Sequence, residues 1–416
     1  MRGTSLSAAV SALPGSLWRT AFPRGGDPYG HGGNEPSERS DAAGLVARHM
    51  ARALPPGFTG RIVASSGERA GGVVWHAAPD GGGCFPDGDG WIYVSNCALP
   101  LLGGVTALRF APDGSLRSGY RVLSGADRNG AGAATPWDTW LSGERKAHGT
   151  VFECDPYGLR APLPRLAMGL FTHGGMVCDP SRGFVYLTEE EPDGCLYRFR
   201  PDDWGDLTTG VLDVLIGAPG EEAVEWEAVP SPAASRAPVR DQVKGARRFA
   251  GGGACHYHDG VLRFVSEGDG RVWAYDAGSE RLHVLHAPGT PGGTGIPGTA
   301  DAPGTPVALG VAEASGTPAG PGALGAPTRS RGLGSSTVRE SETRPGERDD
   351  EEVVLVVEGR AVPFLRMPDG WTVTGPSMSP AGDRLYLSCR PPAGDGSGVA
   401  PVTIEITGPF EDLVRA

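Results

Sequence analysis

The chain has 416 residues, a formal net charge of -12, 39% hydrophobic residues and a mean hydropathy of -0.21. The acidic balance disfavours a phosphate-backbone partner, and no run approaches the ~18 apolar residues of a membrane helix, so neither nucleic acid nor a membrane is expected. Gly and Pro, 67 and 38 residues, make up about a quarter of the chain, which is the level at which turn-rich or unstructured segments are expected.

Residues 1–36 are rich in Gly, Pro and Ser and read as a disordered arm. Residues 40–54, SDAAGLVARHMARAL, read as a short amphipathic helix, capped by Ser40 or Asp41 and stopped by Pro55-Pro56. Its expected role is to pack on the edge of the strand-rich domain. The first segment carries no twin-arginine pair and no strong hydrophobic region, so the expected location is cytoplasmic. Seven cysteines, at 84, 97, 154, 178, 195, 255 and 389, form no CxxC pair. Their odd count and wide spacing read as reduced, buried thiols, in keeping with a reducing compartment.

From about residue 58 short apolar, β-branched or aromatic runs alternate with Gly-containing turns. Examples are DGDGWIYVSN (87–96), FAPDGSLRSGYRVL (110–123), HDGVLRFVSEGDGRVWAYD (258–276) and SPAGDRLYLSC (379–389). In WIYVSN the period is two, with Trp91, Tyr93 and Ser95 on one side and Ile92 and Val94 on the other. Two segments, RGFVYLTEEEPDGCLYRFRPDD (182–203) and DGVLRFVSEGDGRVWAYDAG (259–278), repeat one pattern of strand, acidic Asp-Gly turn and strand. That repeat reads as the inner hairpin of a propeller blade, against the plainer reading of a hairpin sandwich.

Residues 287–351 are Gly, Pro, Ala and Ser tracts with a charged tail, too poor in apolar surface to order themselves, and read as a disordered low-complexity insertion. Strands resume at EEVVLVVEGR (351–360). Without the insertion and the first 55 residues, at roughly 40–50 residues per blade, the chain holds about six or seven blades. The expected architecture is all-β: an arm and helix over 1–55, then a single β-propeller over 56–416 interrupted at 287–351. Its ends are expected to meet through a strand near Thr403–Thr407 pairing inside an early blade.

Several stretches, in order from about residue 55 to 410, resemble the PhoX family of bacterial alkaline phosphatases. The specific ones are TPWDTWLSGE (135–144), VYLTEEEPDGCLYRFRP (185–201) and TIEITGPF (403–410). The resemblance implies a propeller whose central funnel holds iron and calcium for phosphate-ester hydrolysis. Hard cations need carboxylate oxygens, and a metal cluster polarises the phosphoryl group. The chain departs from the family pattern at these positions. Asn96-Cys97-Ala98 stands where relatives place Asn-Ser-Glu or Asn-His-Glu, and Ser142-Gly143-Glu144-Arg145 where they place Thr/Ser-Cys-Glu-Glu. His173-Gly174 replaces His-Glu, and Gly253-Ala254 replaces Glu-Gly. Gly and Ala offer no side-chain ligand, so these changes imply lost or altered catalysis.

The remaining candidates are Glu144 as a catalytic or metal-ligating carboxylate, Glu189 and Glu190 as metal ligands at a strand end, and Arg145 as an anion- or substrate-binding cation. Each has a plainer reading as a solvated charge. Asp193 is expected to shape its Pro-Asp-Gly turn. His173, His256, His258, Cys154 and Cys178 are read as structural. Calcium is the cation the carboxylates would hold, and iron is not expected. Two functions follow: a PhoX-like protein with much of its metal site lost, binding a protein or anionic ligand, or an active divergent phosphomonoesterase that uses the remaining carboxylates.

Overall fold

Short β-branched and aromatic runs cut by Gly turns cannot bury themselves singly, so they pair as antiparallel hairpins and stack face to face. The computed structural model describes residues 36–287, 336–339, 352–357, 360–368, 371–392 and 399–415. The first blade runs Pro79–Asp87, Gly90–Cys97, Gly103–Phe110 and Leu116–Ala126 from the axis outwards. The second is Asn129–Ala134, Trp140–Glu144, Val151–Cys154 and Leu163–Pro164. The third adds a fifth strand: His173–Asp179, Phe184–Glu189, Leu196–Asp203, Asp206–Ile216 and Glu225–Ala228. The fourth is Gly252–His258, Val261–Ser266, Arg271–Asp276 and Arg281–His286.

A three-stranded sheet comes next, Ser336–Arg339, Glu352–Val357 and Arg360–Arg366. The closing blade holds Thr372–Met378, Arg384–Arg390 and Val402–Thr407, and its outermost strand is Thr59–Ser65. The innermost strands of the closing, first, second, third and fourth blades pack side by side in that order, and Ser336–Arg339 borders Thr372–Met378. The molecule is therefore an all-β propeller. The expected count of about six or seven blades is corrected: the described residues form five blades of four or five strands and one sheet of three, besides the two-stranded pair Arg69–Ala70 and Val73–Val74.

The ends meet as expected, but in the last blade: Thr59 pairs with Thr407 and Ser65 with Val402. Glu405, buried between those strands, accepts from Arg61 Nε at 2.8 Å, from Arg384 Nη1 at 3.0 Å and from the Tyr386 hydroxyl. The repeated segments are also repositioned. Phe184–Glu189 with Leu196–Asp203, and Val261–Ser266 with Arg271–Asp276, are the second and third strands of their blades, not the inner hairpin.

Period two holds in Gly90–Cys97. Trp91 and Tyr93 join Trp75, Phe110 and Tyr386 on one face, while Ile92 and Val94 join Phe85 and Trp140 on the other. Both faces are buried because each sheet lies between two neighbours. The helix Pro36–Ala53 starts four residues before the expected cap, with Pro at a first-turn position that suits its fixed φ. Its Val46 and Met50 cluster with Phe58, Trp371 and Ile404 at the closing blade and with Phe364 of the three-stranded sheet. Residues 1–35, and all of 287–351 except Ala287 and Ser336–Arg339, lie outside the described residues. All seven cysteines are buried, with no disulfide among them. Among the described residues no helix is long and apolar enough to cross a membrane.

Candidate functional site

In an up-and-down blade the second strand ends where the first begins, so residues just past several second strands converge at one end of the ring. Arg145 follows Trp140–Glu144, Glu190 follows Phe184–Glu189, Glu267 follows Val261–Ser266, and Asp80 opens the inner strand of the first blade. Arg145 Nε lies 2.6 Å from Glu190 Oε2, and its Nη1 lies 3.6 Å from Asp80 Oδ2. The guanidinium passes directly over Gly130, where a Cβ would meet its central carbon at 2.8 Å. Glu267 folds back so that its carboxylate covers Gly253. Four blades thus contribute one arginine and three carboxylates to one locus.

Burial works against the charge on Arg145, but Asp80, Glu190 and Glu267 outweigh it and its pKa is raised. Burial also pushes Glu190 up to about 7; Arg145 opposes that rise and Glu267 and Asp80 add to it. The locus holds a fixed positive charge beside a carboxyl group that titrates near neutrality.

The other expected site residues point elsewhere. Glu144 is buried, and its two oxygens accept the backbone N–H groups of Asp127 at 2.9 Å and Thr150 at 3.1 Å, with Lys146 Nζ at 3.2 Å. Glu189 is fully buried and accepts from Tyr197 Oη at 2.7 Å, from the Cys195 N–H at 3.2 Å and from Arg240 Nη1 at 2.9 Å. Glu189 and Glu190, adjacent in sequence, therefore serve different partners. Asp193 does more than shape its turn, since it pairs with Arg240 at 3.0 Å and Arg248 at 3.7 Å. Among the described residues no group of three or more His, Cys, Asp or Glu side chains is placed to hold a metal ion.

Gly143, where the resemblance leads us to expect a cysteine, is closed off by its neighbours. A Cβ there would sit 2.7 Å from Met176 Cε and 2.8 Å from His173 Cβ. His173 is completely buried against Phe171, with Nε2 3.2 Å from the Gly149 carbonyl, and burial holds its pKa down to about 3. His256 and His258 share one face of their strand, rings 6.1 Å apart. Asn96 ties the first blade to the second: its amide donates to the carbonyls of Gly130 and Ala131 at 2.9 and 2.8 Å, and its oxygen accepts from Trp140 Nε1 and Ser142 Oγ, both at 2.9 Å. Asp80, Glu267 and Arg240 carry no functional signal in the sequence. Asp80 sits before a Gly run and Glu267 in a Gly-Asp-Gly turn, where an acid reads as solvated.

The family model described as alkaline phosphatase PhoX matches residues 143–259, which include Arg145, Glu189 and Glu190. Among solved structures, the chain is similar to Pseudomonas fluorescens PhoX in complex with vanadate, a transition state analogue. That likeness has a TM-score of 0.62 and 15% identity, covering 86% of this chain and 96% of that one. A putative gluconolactonase follows at 0.45 and 11%, covering 86% and 94%, and a putative 6-phosphogluconolactonase from Bacteroides uniformis at 0.39 and 15%, covering 74% and 77%. No curated protein sequence matches. At these identities the likeness is one of fold.

Proposed function

We propose that the chain is a PhoX-type β-propeller that works as a binding propeller, its centre organised by an arginine and not by the metal ions of that metal-dependent family. The observation that carries this is the pairing of Arg145, from the second blade, with Glu190 of the third and Asp80 of the first. A guanidinium cannot be deprotonated at any working pH, so it stands as a permanent cation among the carboxylates. A calcium ion needs six to eight oxygens. Here Glu190 and Asp80 already face a positive charge, while the oxygens of Glu144 and Glu189 are engaged by backbone N–H groups, Tyr197 and Arg240. This donor set fits a guanidinium and does not fit a metal cluster. Arg145 keeps about a third of its side chain exposed, and an anionic group is the ligand its remaining N–H donors suit.

The test is calorimetric titration with calcium, together with metal analysis of the purified protein. The wild type is expected to bind no stoichiometric calcium or iron. Arg145→Glu removes the cation and adds a carboxylate, and is expected to gain a calcium site. Stoichiometric metal in the wild type would overturn the proposal.

One observation favours a second reading, the active divergent phosphatase: Glu190 titrates near 7, in the range a general acid–base requires. Hydrolysis of an aryl phosphate, with calcium and iron supplied, separates the two. Turnover that is lost in Glu190→Gln or Glu144→Ala would establish the second reading, and its absence the first.

A further inference from the structure

A cavity of about 410 Å³ opens at the outer side of the first blade, near the end at which the funnel charges converge. Val74, Trp75, His76, Leu99, Leu102 and Arg121 are among the residues that line it. His76 is 4% exposed, and neither ring nitrogen makes a hydrogen bond of good geometry, although the Ala78 backbone lies close enough to favour the protonated ring slightly. Its ring leans on Trp75, centroids 4.6 Å apart, and the indole is anchored by Nε1 to Thr403 Oγ1 at 3.1 Å. The His76 carbonyl accepts from Ser66 Oγ at 2.8 Å, so both ends of the residue are held. A buried imidazole whose nitrogens lack well-formed hydrogen bonds is costly unless something else completes it. Burial, reinforced by the charge of Arg121, holds His76 down to about 3, so at neutral pH it offers one N–H donor and one acceptor.

Arg121 is exposed at the cavity mouth, and among the described residues no carboxylate pairs with it. The rim is apolar and wet: Val74 is 45% and Leu102 52% exposed, and Leu101 beside them 75%. Large apolar side chains grouped around a concave site mark a ligand surface more than a chance exposure.

We propose that this cavity binds a small amphiphilic carboxylate. The apolar body would lie on Val74, Leu99 and Leu102, the carboxylate would take the planar fork of Arg121, and the His76 N–H would donate to the same head group. One arginine with no second cation in the lining suits a monoanion better than a phosphate dianion, and its fork matches a carboxylate in two parallel hydrogen bonds.

Calorimetric titration of the full chain with octanoate tests this, with acetate and octan-1-ol as the head and body alone. Octanoate is expected to bind saturably at one site, acetate not at all, and octan-1-ol about tenfold or more weaker. Arg121→Met is expected to weaken octanoate about tenfold, the worth of one charged hydrogen-bonded contact. Because Arg121 is exposed, that variant keeps its fold, and a far-UV spectrum checks it. His76→Phe, which fills the same space without a donor, is expected to weaken octanoate as well. Absence of saturable octanoate binding, equal affinity for octan-1-ol, or unchanged affinity in Arg121→Met would each overturn the assignment.

Discussion

Arg145 and Glu190 set the electrostatics of the funnel, and removing one of them exposes the other. Glu190 is already raised from an ordinary 4.5 to about 7, with Arg145 holding it down against burial, Glu267 and Asp80. In Arg145→Met that restraint is gone and the folded chain binds the Glu190 proton more tightly still. A carboxyl whose folded pKa exceeds its unfolded value contributes stability at low pH and loses it as pH rises through the folded value. The variant is therefore expected to be close to wild type near pH 5 and to lose ~2 kcal/mol near pH 8.5, where Glu190 is an unpaired, half-buried charge. Urea denaturation at the two pH values measures this, and an equal loss at both would count against it. The strand-end charges were legible in the sequence because the YLTE and LSGE motifs place them. What they touch was not, since Asp80 and Glu267 arrive from blades distant along the chain. Gly143 was legible as a departure from the expected pattern, but not its setting, in which Met176 and His173 fill the space a side chain would need.

Strands are easiest to read where they lie second or third in a blade, and hardest at the axis. Gly90–Cys97 is buried on both faces, and Val261–Ser266 alternates buried Leu262, Phe264 and Ser266 with half-exposed Val261, Arg263 and Val265, so both read as strands from their apolar residues. The innermost strands carry Gly instead: Gly81 approaches the backbone of the second blade so closely that a Cβ would lie 2.5 Å from the Gly130 carbonyl oxygen. Such strands lack alternation, which is why the repeated hairpins read as the inner pair in the sequence. Closure of the ring rests on a polar contact that sequence could not pair, since Arg61 and Glu405 stand at opposite ends of the chain. Glu405→Ala leaves Arg384 and the buried Tyr386 hydroxyl without their acceptor. Its expected cost is ~3 kcal/mol, the scale of a broken buried ion pair. Chemical denaturation measures it, and a change within ~0.5 kcal/mol would show that the pair is only a surface contact.

A row of repeats open at both ends frays from its terminal units, because each unit is held only by its neighbours. This chain is built of such units, but Thr59–Ser65 completes the blade formed by Thr372–Met378, Arg384–Arg390 and Val402–Thr407, and the innermost strands of that blade and the first lie side by side. Closure leaves neither of these two blades as a free terminus. Unfolding any one blade also strips an apolar face from each blade beside it, as with Ile92 and Val94 of the first blade, which cluster with Trp140 of the second. The ring is therefore expected to lose its structure in one cooperative step. Tryptophans are spread through it, with Trp91 in the first blade, Trp140 in the second, Trp226 in the third and Trp273 in the fourth. Fluorescence thus follows side-chain packing around the ring while far-UV dichroism follows its strands. The two denaturation curves are expected to coincide in the wild type and to move together to lower denaturant in Glu405→Ala. Separation of the curves in that variant, with packing lost before strands, would mean that the blades next to the seam melt on their own and that closure does not couple the ring.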